Sequence, residues 1–384
     1  MALEVRPFGV KCNIACQYCY QNMHRDAGNG GSQYHPELVK QRILEDGEPF
    51  HLFGGEPLLM SMTALEDLLQ WGHQQFGETS VMTNGALINE AHIELFLRYN
   101  TKVGISIDGP EELNDVRWAG TIDKTRQATK RSIKAIHQLR QAKIPIGLQI
   151  QVTRSNSSPD RLPKMFEWLR EMDALEIASA RLHVLEIDHP AIRKIYSFSA
   201  EENITVFSAY KKFEKTLKHL RFDIFRDVHQ MLLAEDEHGT CTWRACDPYS
   251  TEAVNGIDGE GNLHNCGLTD KEGINFQQPA NMGYERYIAL YHTPDEYGGC
   301  RNCRFFLSCK GQCPGTAIDG EWRNKSENCG LWKYLFEEAE QEMLNEGLSP
   351  VSLHPQRKQI EEKLINHWAN GQNPTLQYLI QNFT

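Results

Sequence analysis

Eleven cysteines carry most of the chemistry open to this chain, and their spacing divides them into two sets. Cys12, Cys16 and Cys19 form a Cys-x3-Cys-x2-Cys triplet, and the other eight fall between 241 and 329. Thiolates hold iron–sulfur clusters and zinc. Three of them on one tight loop leave one iron of a four-iron cubane without a protein ligand, free to bind a reactant. A zinc loop completed by a distant histidine such as His24 would use the same triplet. The later set runs Cys241, Cys246-x14-Gly261-x4-Cys266, Cys300-x2-Cys303-x5-Cys309-x3-Cys313 and finally Cys329. Eight thiolates suffice to close two cubanes fully, which makes them electron carriers with no free iron. A pair of zinc sites is the alternative, because Cys-x2-Cys is also a zinc knuckle.

These residues need elements to hold them. Through about residue 220, short β-branched runs alternate with longer helical patterns, the signature of βα units around a parallel sheet. Strands are predicted at 3–10, 50–53, 80–83, 102–107, 144–152 and 181–187, and helices near 36–45, 61–76, 89–98, 122–142, 159–172 and 200–218. The expected fold is α/β, a partial (β/α)6 TIM-like barrel over residues 1–237. Functional side chains in such folds gather at the C-terminal ends of strands, and the cysteine triplet follows the first strand directly. Gly54-Gly55-Glu56-Pro57, Thr83-Asn84-Gly85 and Ser106-Ile107-Asp108-Gly109 end the second, third and fourth. Asn84-Gly85 and Asp108-Gly109 are also ordinary turn dipeptides.

Residues 238–330 are rich in Gly, Asn, Cys and Asp with little periodicity. They read as a small domain without a large hydrophobic core, held by its clusters. Residues 331–384 read as a helical extension, with a pattern through Trp332, Leu335, Ala339 and Met343, a break at Pro350 and Pro355, and a second helix over 356–368. Trp332, Tyr334, Leu335 and Phe336 are expected to pack on the barrel as a plain terminal helix; a surface for a substrate is the alternative.

The formal net charge of -11 argues against a nonspecific grip on nucleic acid. The basic positions between Lys124 and Lys143 suit the wet face of an amphipathic helix. No run of eighteen apolar residues suggests a membrane span, and the N-terminus lacks a secretory signal, so a reducing cytoplasm is expected. There, clustered cysteines read as metal ligands before disulfides.

The triplet, Tyr18 beside its third cysteine, and the Gly-Gly-Glu-Pro segment resemble the radical S-adenosylmethionine (SAM) superfamily. The resemblance implies a 4Fe-4S cluster on Cys12, Cys16 and Cys19 whose open iron chelates SAM, and one-electron cleavage to a 5'-deoxyadenosyl radical that abstracts hydrogen. By the same resemblance Gly54, Gly55 and Glu56 bind the methionine ammonium, Tyr18 lies beside the adenine, and Asn84, Ser106 and Asp108 contact the amino acid and ribose. Arg117, in Asn114-Asp115-Val116-Arg117, resembles an arginine that approaches the SAM carboxylate; a surface arginine is the other reading. The later cysteines fit the SPASM domain of peptide maturases. Similarity to anaerobic sulfatase maturases implies one auxiliary 4Fe-4S cluster on Cys241, Cys246, Cys266 and Cys313, and a second on Cys300, Cys303, Cys309 and Cys329.

Those maturases carry an aspartate base immediately after the position of Cys266, where this chain has Gly267. Formylglycine formation is therefore not expected, and the general base is unassigned; Asp258, Asp270 and His264 are nearby in sequence. The expected activity is oxidative cross-linking (C–C, C–O or thioether) in a ribosomally made precursor peptide, with epimerisation or backbone excision as the alternative and a zinc-stabilised binding module as a reading from another class. Only eleven residues precede Cys12, so leader recognition is expected from a separate protein or another surface. A reductase, flavodoxin or ferredoxin would donate the electron.

Overall fold

A computed structural model of the chain describes residues 2–26, 28, 33–185, 190–239, 241–247, 254–270 and 283–382. The chain divides into two units, one of Leu3–Asp223 with Gly256–Leu263 and one of Ile224–Asn255 with His264–Thr384. The first break falls at residue 223, ahead of the expected boundary at 237. A short hairpin from the cysteine-rich stretch belongs to the sheet unit.

That unit is built on an open sheet of nine strands: β1 Ala2–Arg6, β2 Phe50–Leu52, β3 Thr79–Thr83, β4 Thr101–Ser106, β5 Ile146–Val152, β6 Ser179–Val184, β7 Arg221–Phe222, β8 Val254–Asp258 and β9 Leu263–His264. Their order is β7-β6-β5-β4-β3-β2-β1-β8-β9. Strands β1 to β7 pair in parallel, neighbour to neighbour. The sheet is not closed, as a partial barrel requires.

All six predicted strands are present. The first stops at Arg6 because Pro7 has no N–H for the ladder, and the Gly9 N–H turns back to the Arg6 carbonyl. Ile187, at the predicted end of the sixth, lies outside the described residues. Alternation sets the faces: Ile146, Leu148, Ile150 and Val152 of β5 are buried under helices, whereas Gly147, Gln149 and Gln151 are half-buried on the other face.

Helices α1 Pro36–Asp46, α2 Met62–Phe76, α3 Glu90–Arg98, α4 Ile122–Gln141, α5 Leu162–Ala174 and α6 Ala200–Glu214 connect the strands. Caps start several of them. Ser61, Asn89 and Thr121 accept the N–H of Ala64, His92 and Lys124, and Ser199 with Glu202 forms a capping box. On α4, Ala128, Ala135, Ile136 and Leu139 are buried while Lys124, Arg126, Lys130, Arg131 and Lys134 are exposed. The solvated-face reading of this basic stretch is correct. Helix α6 ends before its predicted limit because the Asp173 carboxylate collects the N–H groups of Lys218, His219 and Leu220 and turns the chain into β7.

The cysteine-rich unit contains α7 Asp223–Leu232, which opens at the boundary, then α8 Glu285–His292, α9 Cys329–Asn345, α10 Arg357–Ala369 and α11 Leu376–Gln381. Here two expectations need correction. The unit has a hydrophobic core, in which Tyr284, Tyr287, Leu290 and Phe306 pack with Leu364 and Trp368 of α10. The C-terminal helices complete that core within the same unit: Phe336 stacks on Phe305, and Trp332 meets Trp243 edge to face. The sequence from 238 to 330 lacks helical periodicity because it supplies single residues from short turns. Residues 331–384 supply the helices that cover them.

Candidate cluster and cofactor site

The loop that carries Cys12, Cys16 and Cys19 is held by backbone hydrogen bonds on two sides. The N–H groups of Gly55 and Glu56 donate to the carbonyls of Gly9 and Lys11 at 3.0 and 2.9 Å. On the other side the N–H groups of Ala15 and Gln17 donate to Trp118 and Val116, at 2.6 and 2.9 Å. The approach explains the glycine pair. Gly54 has φ +115, and a Cβ on Gly55 would lie 2.0 Å from the Lys11 carbonyl oxygen.

Glu56, 2% exposed, ends this segment. Its carboxylate accepts from the Leu58 N–H at 3.0 Å, the Thr83 hydroxyl at 2.7 Å and the Asn84 N–H at 2.9 Å. Burial pushes its pKa up, and these three donors only partly offset that. The Asn84 side-chain amide donates to the Asn13 Oδ1 at 2.7 Å, so one hydrogen-bonded chain joins the ends of β2 and β3 to the residue after Cys12.

Asp108 organises the opposite wall. One carboxylate oxygen accepts from Arg117 Nη2 at 2.9 Å and from the Gln151 N–H at 2.9 Å; the other accepts from the Tyr18 hydroxyl at 2.5 Å. The Asp108 N–H and carbonyl are held by Asn114 and Asn156. Asp108 is 1% exposed, and the Arg117 side chain lies 5.8 Å over the Tyr18 ring. Burial alone would lower the Arg117 pKa, but Asp108, Tyr18 and Cys16 raise it overall. The reading of Arg117 as a surface residue is thus corrected. Its Nε is buried with no hydrogen-bond partner among the described residues, a donor left over in the site. Ser106, at the end of β4, is half-buried.

Asn84-Gly85 and Asp108-Gly109 are both turns and buried anchors. Gly85 and Gly109 adopt φ +77 and +131. The side chains of Asn84 and Asp108 nevertheless point into hydrogen-bond networks, so neither is a turn residue alone.

Sequence reasoning missed the polar face of β5 and β6. Gln149 Nε2 lies 2.9 Å from His183 Nε2, and Gln151 donates to the Val184 carbonyl at 2.8 Å. Burial first, then the charges of Arg181 and Arg117, depress the His183 pKa to about 3. The strand alternation carried that signal.

The cysteines can be tested against the groups they are expected to hold. All eleven are free of disulfides. Among the described residues no three His, Cys, Asp or Glu side chains converge on one point closely enough to surround a single ion. A cubane asks for a wider set, since each thiolate binds its own iron. Cys300, Cys303, Cys309 and Cys329 line one cavity, walled by Phe305, Phe306, Trp332 and Phe336. Burial and then its neighbours Cys303 and Cys329 push the Cys300 thiol up to about 12. Cys309 is raised by burial and then by Cys300, Cys329 and Cys303.

A second group forms around Cys246. Its thiol is raised by a hydrogen bond with Cys241, then by burial, and by the charges of Cys241, Cys266 and Cys313. Cys16 is pushed up to about 12 by burial, with Arg117 opposing and Cys19 and Cys12 adding to it. Buried thiols that raise one another remain protonated unless a cationic centre compensates them, and iron–sulfur clusters supply such a centre. The donor sets fit.

Two of the sequence candidates for a base have roles within the cysteine-rich stretch. The Asp258 carboxylate accepts the N–H groups of Glu260 and Asn262, both at 2.9 Å, and closes the β8–β9 turn. His264 is half-buried on β9, and the Asp270 side chain lies outside the described residues.

Comparison with known proteins follows the same lines. Residues 7–169 match the family model of the Radical SAM superfamily. A serine-type anaerobic sulfatase-maturating enzyme of Bacteroides thetaiotaomicron is 24% identical over 362 residues, covering 83% of this chain and 84% of its own. A cysteine-type anaerobic sulfatase-maturating enzyme of Clostridium perfringens is 22% identical over 392 residues, covering 90% of this chain and 98% of its own. The structure of native anSMEcpe with bound AdoMet and Cp18Cys peptide superposes with a TM-score of 0.67 at 17% identity, over 90% of this chain and 98% of that one. Streptococcus suis SuiB superposes with a TM-score of 0.55 at 15% identity, over 86% and 77%. Residues 7–169 therefore form a radical SAM domain, and the chain is homologous to the anaerobic sulfatase-maturating enzymes.

Proposed function

We propose that this enzyme is a peptide maturase that abstracts hydrogen from a residue of a ribosomally made precursor and completes an oxidative cross-link. Cys12, Cys16 and Cys19 would hold the cluster that binds SAM, which when bound supplies the 5'-deoxyadenosyl radical. Gly54, Gly55 and Glu56 would face its ammonium, Tyr18 its adenine, and Asn84, Ser106, Asp108 and Arg117 its remaining polar groups; the leftover Nε donor of Arg117 suits a carboxylate. Cys241, Cys246, Cys266 and Cys313 would hold one auxiliary cluster, and Cys300, Cys303, Cys309 and Cys329 the other.

The observation that carries this reading is the grouping of the eight later cysteines by fours. A fully ligated cluster has no open iron for a substrate, so its use is to take up the electron left when a substrate radical closes a bond. Forming one cross-link removes two hydrogens: one leaves as the abstracted atom, the other as a proton plus one electron. Gln149, Gln151 and His183, half-buried on the interior face, offer a polar wall suited to peptide amides.

The sulfatase-maturating relatives favour a second reading, oxidation of a Ser or Cys side chain to formylglycine. Gly267, which opens a short helical turn at Gly267–Asp270, supplies no carboxylate for it. Co-expression with a short neighbouring reading frame and tandem mass spectrometry separates the two. A cross-link gives loss of two hydrogens and no backbone fragments between the joined residues. A hydrazide-reactive aldehyde with normal fragments would replace it with the formylglycine reading, and an unchanged or shortened peptide would indicate epimerisation or excision. A separate leader-binding protein, a flavodoxin or ferredoxin donor and a cytoplasmic location complete the proposal.

A further inference from the structure

Arg286 is fully buried, at 0% exposure, and its guanidinium makes no ion pair among the described residues. Its guanidinium spends its donors on backbone carbonyls: Trp322 at 2.8 Å, Asn324 at 3.1 Å, Gly311 at 3.3 Å and Lys310 at 3.5 Å. The guanidinium's hydrogen bonds are satisfied without an ion pair; the buried Asp247 carboxylate accepts the backbone N–H of Arg286 at 3.2 Å and does not pair with the guanidinium. A buried charge without a counter-charge is costly by several kcal/mol, so a compensating anion is expected close by.

The surroundings say where. Lys310 and Gly311 directly follow Cys309, and Gly311 lines the cavity shared by Cys300, Cys303, Cys309 and Cys329. The charge of Arg286 acts on Cys300, and Lys325 and Lys333 act on both Cys300 and Cys329 or on Cys329 alone. Lys333 lines the cavity itself, and Lys325 and Lys333 share one carboxylate, Asp295, at 2.6 and 3.1 Å. Among the described residues, Arg286, Lys325 and Lys333, with Lys310 beside Cys309, stand against the Asp295 carboxylate around this group. Beside the other group the residue after Cys246 is Asp247, a carboxylate at 0% exposure. Tyr287, adjacent to Arg286, donates to the Cys246 carbonyl at 2.8 Å, while the charge of Arg286 is among those that act on Cys300 and not among those that act on Cys246.

We propose that Arg286 is the counter-charge of the cluster held by Cys300, Cys303, Cys309 and Cys329, and that with Lys333 it sets the reduction potential of that cluster above that of its neighbour. A cluster with four thiolates is anionic and gains one more negative charge on reduction, so fixed positive charge favours its reduced form. This rests on the cluster assignment proposed above and goes beyond it in ranking the two potentials.

The test uses full-length protein carrying Cys12→Ala, Cys16→Ala and Cys19→Ala, reconstituted anaerobically with iron and sulfide, so that only auxiliary clusters contribute to an EPR-monitored redox titration. Two midpoint potentials are expected, and Cys303→Ala should remove or alter the higher one. Arg286→Gln should lower that potential by about tenfold in the reduction equilibrium, ~59 mV for a one-electron couple. Arg286→Lys should restore most of it, and Lys333→Gln should move it the same way by less. If Arg286→Gln is insoluble, Arg286→Lys and Lys333→Gln decide. Iron-loaded variants with unmoved potentials overturn the proposal alone. Protein that takes up zinc and no iron overturns the cluster assignment on which it rests.

Discussion

Around the first cysteine loop each buried charge has a partner built into the chain. Asp108 meets Arg117 and the Tyr18 hydroxyl, and Glu56 is capped by three donors. Around the later cysteines the balance is incomplete. The Arg286 guanidinium is bonded to carbonyls alone, and thiols that raise one another's pKa are gathered in an aromatic cavity. The difference teaches what each unit requires to fold. The sheet unit has a parallel β scaffold with its own polar networks, so the site proposed for the cofactor stands preformed. The cysteine-rich unit has a hydrophobic core to one side and a charge pattern that the anionic cluster proposed here would complete.

The largest effect should come from removing a ligand where the clusters are structural. Cys309→Ala is expected to lose roughly a third of the bound iron and the cooperative melting of its unit. The Cys12, Cys16 and Cys19 triple alanine should instead keep roughly two thirds of the iron and its fold, and lose 5'-deoxyadenosine release. Iron assay, calorimetry and product chromatography make the comparison. Equal thermal damage in both would erase the proposed difference between the units.

Next comes the preformed network itself. Asp108→Asn leaves Arg117 buried without its counter-charge, which should cost about 3–5 kcal/mol in urea unfolding. A loss of under about 1 kcal/mol would mean that the network is not what stabilises this wall. Gly55→Ala is expected to cost about 1–3 kcal/mol, because its Cβ meets the Lys11 carbonyl. It should also lower the iron bound by the first loop while sparing the auxiliary clusters. Retention of all iron would show that the loop does not depend on this contact.

The smallest effect concerns Asp173. Burial would raise its pKa, but the N–H groups of Leu220, Lys218 and His219 outweigh that and hold it below the usual carboxylate range. A depressed folded pKa stabilises above the unfolded value and is lost as pH falls through the folded one. Asp173→Asn should therefore cost about 1–2 kcal/mol near neutral pH and progressively less toward acid. Parallel wild-type and variant stability curves between about pH 7 and pH 3 would contradict this.

Much of the molecule can be read from one-dimensional pattern. The βα alternation gives the six main strands, and the triplet falls after the first of them because Pro7 ends β1 and starts the turn. The sequence shows which later cysteines are offered as ligands, but their division into interleaved fours is implied only by the resemblance to the maturases, since Cys313 lies four residues from Cys309 and is assigned to the other set. The charges on α4 face water as an amphipathic period requires. Two short elements, β7 and the β8–β9 hairpin, escaped because strands of two to five residues carry too little period to detect.

What only the tertiary structure decided are the relations between residues distant in sequence. Arg117 reads equally as a surface or a site residue until Asp108 and Tyr18 close on it from 9 and 99 positions away. His183 becomes part of an interior wall only when β6 lies beside β5, and the C-terminal helices become part of the cysteine-rich core only when Trp368 reaches Tyr287. The cysteine triplet and the later set fix, by residue type and spacing, which ligands are offered. Whether a charge beside them is paired depends on side chains brought together from separate elements, and desolvation gives that pairing its energy only after folding excludes water.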